Sequence, residues 1–254
     1  MDTNPAYIVT GGFSGIGFAV VRKLLDMSAT VHAIDQADSL PILDQPHSGK
    51  VHFYPNVDVS SREAVAQTFK SAIHKSPNIR GIANCAGVGA PDTMLPSDED
   101  FNRVMAVNLG GTWNVGTEYL RYVLEGHMDT RSKTEKPSHN QVGSIVSIGS
   151  IGSYTGLPQA APYCASKHAV LGLTRAWAKD FAKKGVRVNC VAPGPTDTPL
   201  VRAMAPESVA SFVNQVPLAR IAHPDEIAET MIFLLSDKAS YITGQIIPVD
   251  GGLT

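Results

Sequence analysis

Cysteine is scarce in this chain: three residues, Cys85, Cys164 and Cys190, at wide spacings and with no Cys-x-x-Cys pair. An odd number of scattered thiols argues against a disulfide framework and fits a reducing compartment. Long apolar runs are missing too. No stretch approaches the roughly twenty residues of a bilayer-spanning helix, and residues 1–5 carry neither the basic nor the apolar region of a secretory signal. The expectation is a soluble, cytoplasmic protein. Neither sign of charge dominates, with 21 Lys and Arg against 23 acidic residues and no basic block, which argues against nucleic acid or an anionic membrane as the main partner. The eight His are scattered without metal-ligand spacing, so no metal site is expected.

What the chain does have is alternation. Of 254 residues, 43% are hydrophobic and 17% charged, enough for a sizeable core. There is no repeat, linker or second core, so one domain over 1–254 is expected. The apolar run at 6–9 predicts a buried strand, Thr10-Gly11-Gly12-Phe13-Ser14-Gly15-Ile16-Gly17 a turn, and 18–27 a helix. In that context a dinucleotide pyrophosphate can sit on the helix N-terminus. Gly11 permits the tight turn, Gly15 the close approach of backbone to phosphate, and Gly17 the packing of helix on strand. The spacing is Gly-x-x-x-Gly-x-Gly, not the usual Gly-x-Gly-x-x-Gly. A second strand at 30–35 ends in Asp35, whose carboxylate can accept from ribose hydroxyls and would repel a 2′-phosphate. No Arg or Lys adjoins it, and Ser14 fills a loop position where a basic residue could have helped, so NAD is expected over NADP.

Residues 36–50 read as a loop, 51–56 as a strand, 60–74 as a helix capped by Ser60 or Ser61, and 79–84 as a strand leading into Cys85-Ala86-Gly87, where small residues admit a ligand to the backbone. Such alternation implies a parallel sheet covered on both faces. Helical stretches at 98–108 and 109–125 meet at Asn108, among apolar neighbours. A buried Asn needs partners; this one either kinks the helix or holds a water on a proton path. The polar stretch 126–141 is expected to be a solvated excursion without function. Beyond it come a strand at 144–150, a helix to about 183, a strand at 186–191 and a rigid turn from Pro193 to Leu200. An amphipathic, proline-bounded lid over about 195–216, a helix at 224–235 and a last strand at 244–249 complete the chain.

Chemistry concentrates between Ser150 and Lys167. Tyr163 and Lys167 are four residues apart, which on a helix puts them on one face about one turn apart. A neighbouring ammonium stabilises a phenolate, and so brings a Tyr of ordinary pKa about 10 into use as proton donor and acceptor. Ser150, at the exit of its strand, could hold a carbonyl or alkoxide oxygen beside it. Taken alone, Tyr-x-x-x-Lys is a weak signal, far more often an ordinary helix surface pair.

Several weak signals occur in one order along essentially the whole chain: Thr10-Gly11-x-x-x-Gly15-x-Gly17, Asp58, Asn84-Cys85-Ala86-Gly87, Asn108, Ser150, Tyr163-x-x-x-Lys167, Pro193-Gly194 with Thr198, and Val249-Asp250-Gly251-Gly252. In this the sequence resembles the short-chain dehydrogenase/reductase family. The resemblance implies a single Rossmann-like, doubly wound α/β domain with a parallel sheet of about seven strands between helices. It also implies NAD(P)-linked alcohol oxidation or carbonyl reduction. By position, Tyr163 would exchange the proton with the substrate oxygen, and Lys167 would lower the Tyr163 pKa and hold the nicotinamide ribose. Ser150 would polarise the carbonyl, and Asn108 would retain a water linking Lys167 to solvent. Asp58 and Val59 would bind adenine, and Thr196 and Thr198 the nicotinamide amide and phosphate region. Ser14, Ile16, Asn84, Ala86, Gly87, Pro193 and Gly194 would complete the dinucleotide cleft. A homo-oligomer, usually a tetramer in the family, would pair through 108–125 and 163–183. Cys85 and Ser147 stand where the family often has Asn, and 126–141 is longer than usual; none of these removes a reacting group.

The expected activity is an NAD-dependent dehydrogenase of a secondary alcohol, with ketone reduction as its reverse. Two alternatives are an NADP-linked 3-oxoacyl thioester reductase, which Asp35 opposes, and an idle nucleotide-binding sensor or scaffold, which the intact Asn108, Ser150, Tyr163 and Lys167 oppose. Candidate pocket walls lie at 89–95, 150–159 and 200–216 and include Met94, Leu95, Tyr154, Leu200 and Phe212, with Arg202 the only cation in the lid. They suggest a mostly apolar alcohol or ketone, a cyclic one for instance, over a small charged acid.

Overall fold

The computed structural model describes residues 4–43, 46–89, 91, 93–126 and 142–254. The excursion expected at 126–141 therefore lies, apart from Gly126, outside the described residues. Seven strands, β1 (Ala6–Thr10), β2 (Thr30–Ile34), β3 (Lys50–Tyr54), β4 (Ile79–Asn84), β5 (Gly143–Ile148), β6 (Val186–Pro193) and β7 (Ile246–Val249), form one sheet in the order β3-β2-β1-β4-β5-β6-β7. Every pairing is parallel. The helices are α1 (Gly15–Asp26), α2 (Arg62–Lys75), α3 (Asp98–Met105), α4 (Thr112–Leu124), α5 (Ala161–Phe181), α6 (Pro199–Arg202), α7 (Pro206–Gln215) and α8 (Pro224–Leu235).

Both faces of the sheet are covered, and all eight residues of β6 are buried, Arg187 and Asn189 included. On one face Val20 and Leu24 of α1 and Ile227 and Met231 of α8 pack over Val9, Val31 and Val191. On the other, Phe69 of α2, Tyr119 of α4 and Trp177 of α5 pack over Ile8, Ile82, Ile145 and Val188. The strand order reverses between β1 and β4, so their carboxyl ends splay the following loops apart and open a crevice. Among the described residues no helix is long and apolar enough to cross a membrane.

Three details depart from the reading of the sequence. Helix α1 begins at Gly15, so the glycine turn feeds directly into its first turn. Asn108 sits not at a simple kink but inside a π-helical turn, Ala106–Gly111, between α3 and α4. The expected lid is two short helices, because Pro206 starts a new helix and cannot continue the previous one.

Candidate active site

A cavity of about 350 Å³ lies along the carboxyl ends of the central strands. Of the residues nominated from the sequence, Gly11, Ser14, Gly15, Ile16, Gly17, Asp35, Asp58, Val59, Ala86, Gly87, Ser150, Tyr163, Lys167, Pro193, Gly194, Thr196 and Thr198 line it. Gly15, at φ +52°, has the left-handed backbone that glycine adopts without strain, and a Cβ there would stand 3.1 Å from Thr198 Cγ2. A Cβ on Gly17 would overlap the Gly11 carbonyl oxygen, which keeps α1 hard against β1. The first turn of α1 carries no acidic residue and its N-cap, Ser14, makes no side-chain cap. Its N–H groups therefore have no competing carboxylate and suit an anion.

Asp35 is held in place from two sides: Oδ2 accepts from the Phe13 N–H and Oδ1 from the Ala37 N–H, both at 3.0 Å. The carboxylate thus braces the glycine turn and still borders the cleft with lone pairs to spare. Among the described lining residues, Lys167 is the only cation. A helix N-terminus, an acid at the end of the second strand and small residues at the sheet edge together fit a dinucleotide.

Helix α5 starts at Ala161, which places Tyr163 and Lys167 in its first two turns. Lys167 is buried; its Nζ lies 5.7 Å from the centre of the Tyr163 ring and donates to the Ile148 carbonyl at 2.9 Å. Ser150 Oγ accepts from the Gly152 N–H at 3.0 Å and is also hydrogen-bonded to the Tyr163 phenol. Burial pushes the Tyr163 phenol above its ordinary value, while the bond from Ser150 pulls the other way. Burial likewise lowers the Lys167 amine to about 8. Desolvation thus acts on both groups, raising the phenol and lowering the amine.

Beneath them Ser153, absent from the sequence reading, joins the two segments. Its Oγ accepts from the Ser150 N–H at 3.1 Å and donates to the Lys167 carbonyl at 3.0 Å.

Asn108 and Asn84 lie behind the cleft wall. Asn108 Oδ1 accepts from the Val88 N–H at 2.8 Å, and Nδ2 donates to the Val88 carbonyl and to Ser166 Oγ, both at 3.0 Å. It clamps the segment after β4 onto α5. A Cβ on Gly87 would stand 3.2 Å from Asn108 Oδ1 and 3.5 Å from Lys167 Nζ, so those two groups face one small space. Asn84 Nδ2 donates at 3.3 Å to Ser147 Oγ, its register partner on β5.

A second cavity, about 730 Å³, adjoins the first and shares with it Gly87, Val88, Ser150, Tyr163, Pro193, Gly194, Leu200 and Val201. Ile151, Leu157, Met204 and Phe212 give it an apolar body. Several expected wall residues are elsewhere. Met94 and Leu95 are 81% and 90% exposed. The Tyr154 hydroxyl donates to the Ile246 carbonyl. Arg202 makes a bidentate ion pair with Asp197, at 2.6 and 2.8 Å. The cation on the wall is instead Arg103, from the last turn of α3.

A family model described as enoyl-(acyl carrier protein) reductase matches residues 11–254. The 3-oxoacyl-[acyl-carrier-protein] reductase FabG of Thermotoga maritima is 34% identical over 97% of this chain and 96% of its own. The cis-4-hydroxycyclohexanecarboxylate dehydrogenase of Sinomonas cyclohexanicum is 33% identical over 97% and 95%. Among solved structures, ElxO with NADP bound superposes with a TM-score of 0.84 at 27% identity, over 99% of both chains.

Proposed function

The chain belongs to the short-chain dehydrogenase/reductase family, and we propose that it moves a hydride between NAD(H) and a secondary alcohol or its ketone. The observation that carries this reading is the junction of the two cavities. Ser150 and Tyr163 stand on the wall that both share, so a carbonyl in the larger cavity meets both hydroxyls at the edge of the cofactor cleft. When bound, the dinucleotide supplies the hydride acceptor or donor. The side chains handle the proton. In oxidation, ionised Tyr163 accepts the alcohol proton while Ser150 donates a hydrogen bond to the same oxygen; in reduction, the phenol gives the proton back. Lys167 restores the charge state of Tyr163 and holds the nicotinamide ribose, and Asn108 keeps a water in the space beside Gly87.

The α1 N-terminus with Ser14, Gly15 and Ile16 would hold the pyrophosphate, Asp35 the adenosine ribose, Asp58 and Val59 the adenine, and Thr196 and Thr198 the nicotinamide end. Asn84 acts from behind the wall, through Ser147. Asp35, with no described cation beside it on the cleft wall, favours NAD over NADP. The hydroxycyclohexanecarboxylate dehydrogenase supports an alicyclic alcohol as substrate. The similarity to FabG favours a second reading, NADP-linked reduction of a 3-oxoacyl thioester; Asp35 counts against its cofactor. We also read the α4 surface, where half-exposed Trp113 packs 5.7 Å from Trp177, as part of a pairing face of a homo-oligomer, tetrameric by family analogy. The three unpaired thiols suit the cytoplasm.

The test is Tyr163→Phe, followed at the NADH absorbance band with secondary alcohols, ketones and 3-oxoacyl thioesters. Turnover should be lost while NADH still binds by fluorescence titration. Near-normal turnover by the variant would remove the assignment, and preferred turnover of thioesters with NADPH would establish the second reading.

A further inference from the structure

Among its described lining residues, the larger cavity carries a formal charge of one sign. The polar ones among them are Arg103, Ser150, Gln159 and Tyr163, with no carboxylate. Arg103 is absent from the cofactor-cleft wall, so it belongs to the part of the cavity beyond the reacting hydroxyls.

The guanidinium is anchored there and its charge is only partly offset. Nη2 donates to the Gly89 carbonyl at 3.2 Å, which fixes the side chain against the segment after β4. The neighbouring acid, Asp100, makes a long ion pair with it at 3.8 Å, without a direct hydrogen bond. Asp100 is committed to the start of α3, where its Oδ2 accepts from Ser97 Oγ and its N–H donates to that same hydroxyl oxygen. A guanidinium offers several N–H donors in a planar fork that matches a carboxylate. The Arg103 side chain is 48% exposed, so solvent screens part of the charge and the rest acts on the cavity it borders. In a mostly apolar pocket, a single placed charge of this kind sets the orientation of the ligand.

We infer that the substrate is an apolar hydroxy or oxo compound bearing an anionic group, a carboxylate above all, which Arg103 holds at the end of the cavity away from Ser150 and Tyr163. The inference rests on the oxidoreductase reading and narrows it. It also narrows the expectation of a mostly apolar alcohol or ketone, which named Arg202 as the only cation in the lid. Arg202 is spent on Asp197. Placing the anion remote from Tyr163 matters chemically, because a negative charge beside the carbonyl would oppose the alkoxide that develops during hydride transfer.

The test uses the full chain with a saturating dinucleotide and two pairs of probes. Cyclohexanecarboxylate and cyclohexanecarboxamide are compared by titration calorimetry. The corresponding 4-oxo compounds are compared by NADH consumption. The carboxylate should bind about tenfold more tightly, the worth of a charge-assisted hydrogen bond at a half-exposed site, with a similar preference in kcat/KM. Arg103→Gln should bring the acid-to-amide ratio close to one, Arg103→Lys should restore part of it, and added salt should erode it in the native protein.

A ratio near one in the native protein would overturn the inference. So would a ratio that survives Arg103→Gln, or an equal loss for acid and amide, which would mark Arg103 as a support for Gly89 alone. Ketone turnover without the preference would refute this subsite and leave the oxidoreductase reading standing. A binding preference without turnover of either ketone would uphold the subsite and count against that reading.

Discussion

Replacing Ser153 by Ala separates the holding of the site from its chemistry. Ser153 is 2% exposed, and its hydroxyl is the bridge between the turn that carries Ser150 and the helix that carries Lys167. The substitution deletes two buried hydrogen bonds, each worth about 1 kcal/mol net, and strands the Ser150 N–H at a further cost of about 1–3 kcal/mol. The Lys167 carbonyl keeps a helical position, so its loss is the smaller one. Stability should fall by about 2–4 kcal/mol in all, read as a lower urea midpoint at unchanged slope. The Ser150 backbone would then be free to shift relative to Tyr163. A displacement of well under 1 Å at a reacting group costs roughly 10- to 100-fold in kcat. The α1 N-terminus and Asp35 do not touch this bridge, so NADH affinity by fluorescence titration should stay within about threefold, well under one charge-assisted hydrogen bond. Ser153→Thr, which keeps the hydroxyl, should recover most of kcat. A stability loss with kcat within about twofold of the native value, too small for a shifted reacting group, would refute the bridge as a positioning device.

Two further outcomes follow from the structure. His32 is fully buried, and burial, with the adjacent His52 and Lys75, lowers its pKa from 6.5 to about 3. The unfolded chain therefore takes up this proton first as pH falls, so the stabilising contribution is complete above about 6.5 and is lost toward 3 at about 1.4 kcal/mol per pH unit. Urea stability measured across that window should show a shallower slope in His32→Phe, by up to one proton. Asp35→Ala should raise the NADPH-to-NADH affinity ratio by about 10- to 100-fold, since it removes both a ribose acceptor and a charge facing any 2′-phosphate. Paired fluorescence titrations check it, and an unchanged ratio would show that Asp35 only braces Phe13.

What could be read without coordinates was what local backbone geometry dictates. Gly15 announces itself by a left-handed backbone that side chains rarely adopt, and Gly17 by the overlap a Cβ would make with the Gly11 carbonyl oxygen. Asp35 follows from its offset after the glycine turn, and Tyr163 and Lys167 share a face wherever a helix covers them. Arg103 gave no such sign, because it reaches the larger cavity only through the packing of α3 beside the segment after β4. Ser153 looked like any loop serine until the chain brought the Lys167 carbonyl to it across fourteen residues. Asn84 was placed in the cleft by its motif, yet strand register sets it opposite Ser147, and that pairing takes its amide away from the wall. The π-helical turn around Asn108 was illegible too, since the apolar pattern either side of it suits an ordinary helix equally well.

The opposite shifts of Tyr163 and Lys167 set how the two directions of the proposed reaction depend on pH. With the phenol raised and the amine near 8, the resting pair at neutral pH holds both protons. Reduction begins with its proton in place, so its rate should be flat through neutrality and fall above about pH 8, where Lys167 no longer re-protonates Tyr163 after each turnover. Oxidation must first lose the phenolic proton, so its rate should climb over the same range. Lys167→Met removes the group that returns the proton and supports the phenolate. The rising limb of oxidation should then move to higher pH, while the decline of reduction near 8 should disappear because the group that titrates there is gone. Initial rates in both directions, taken from pH 6 to 10 at saturating cofactor, measure both limbs. Parallel profiles in the two directions would mean that some other step limits turnover. A decline near 8 that persists without Lys167 would assign that titration to another group and leave the amine a purely structural part.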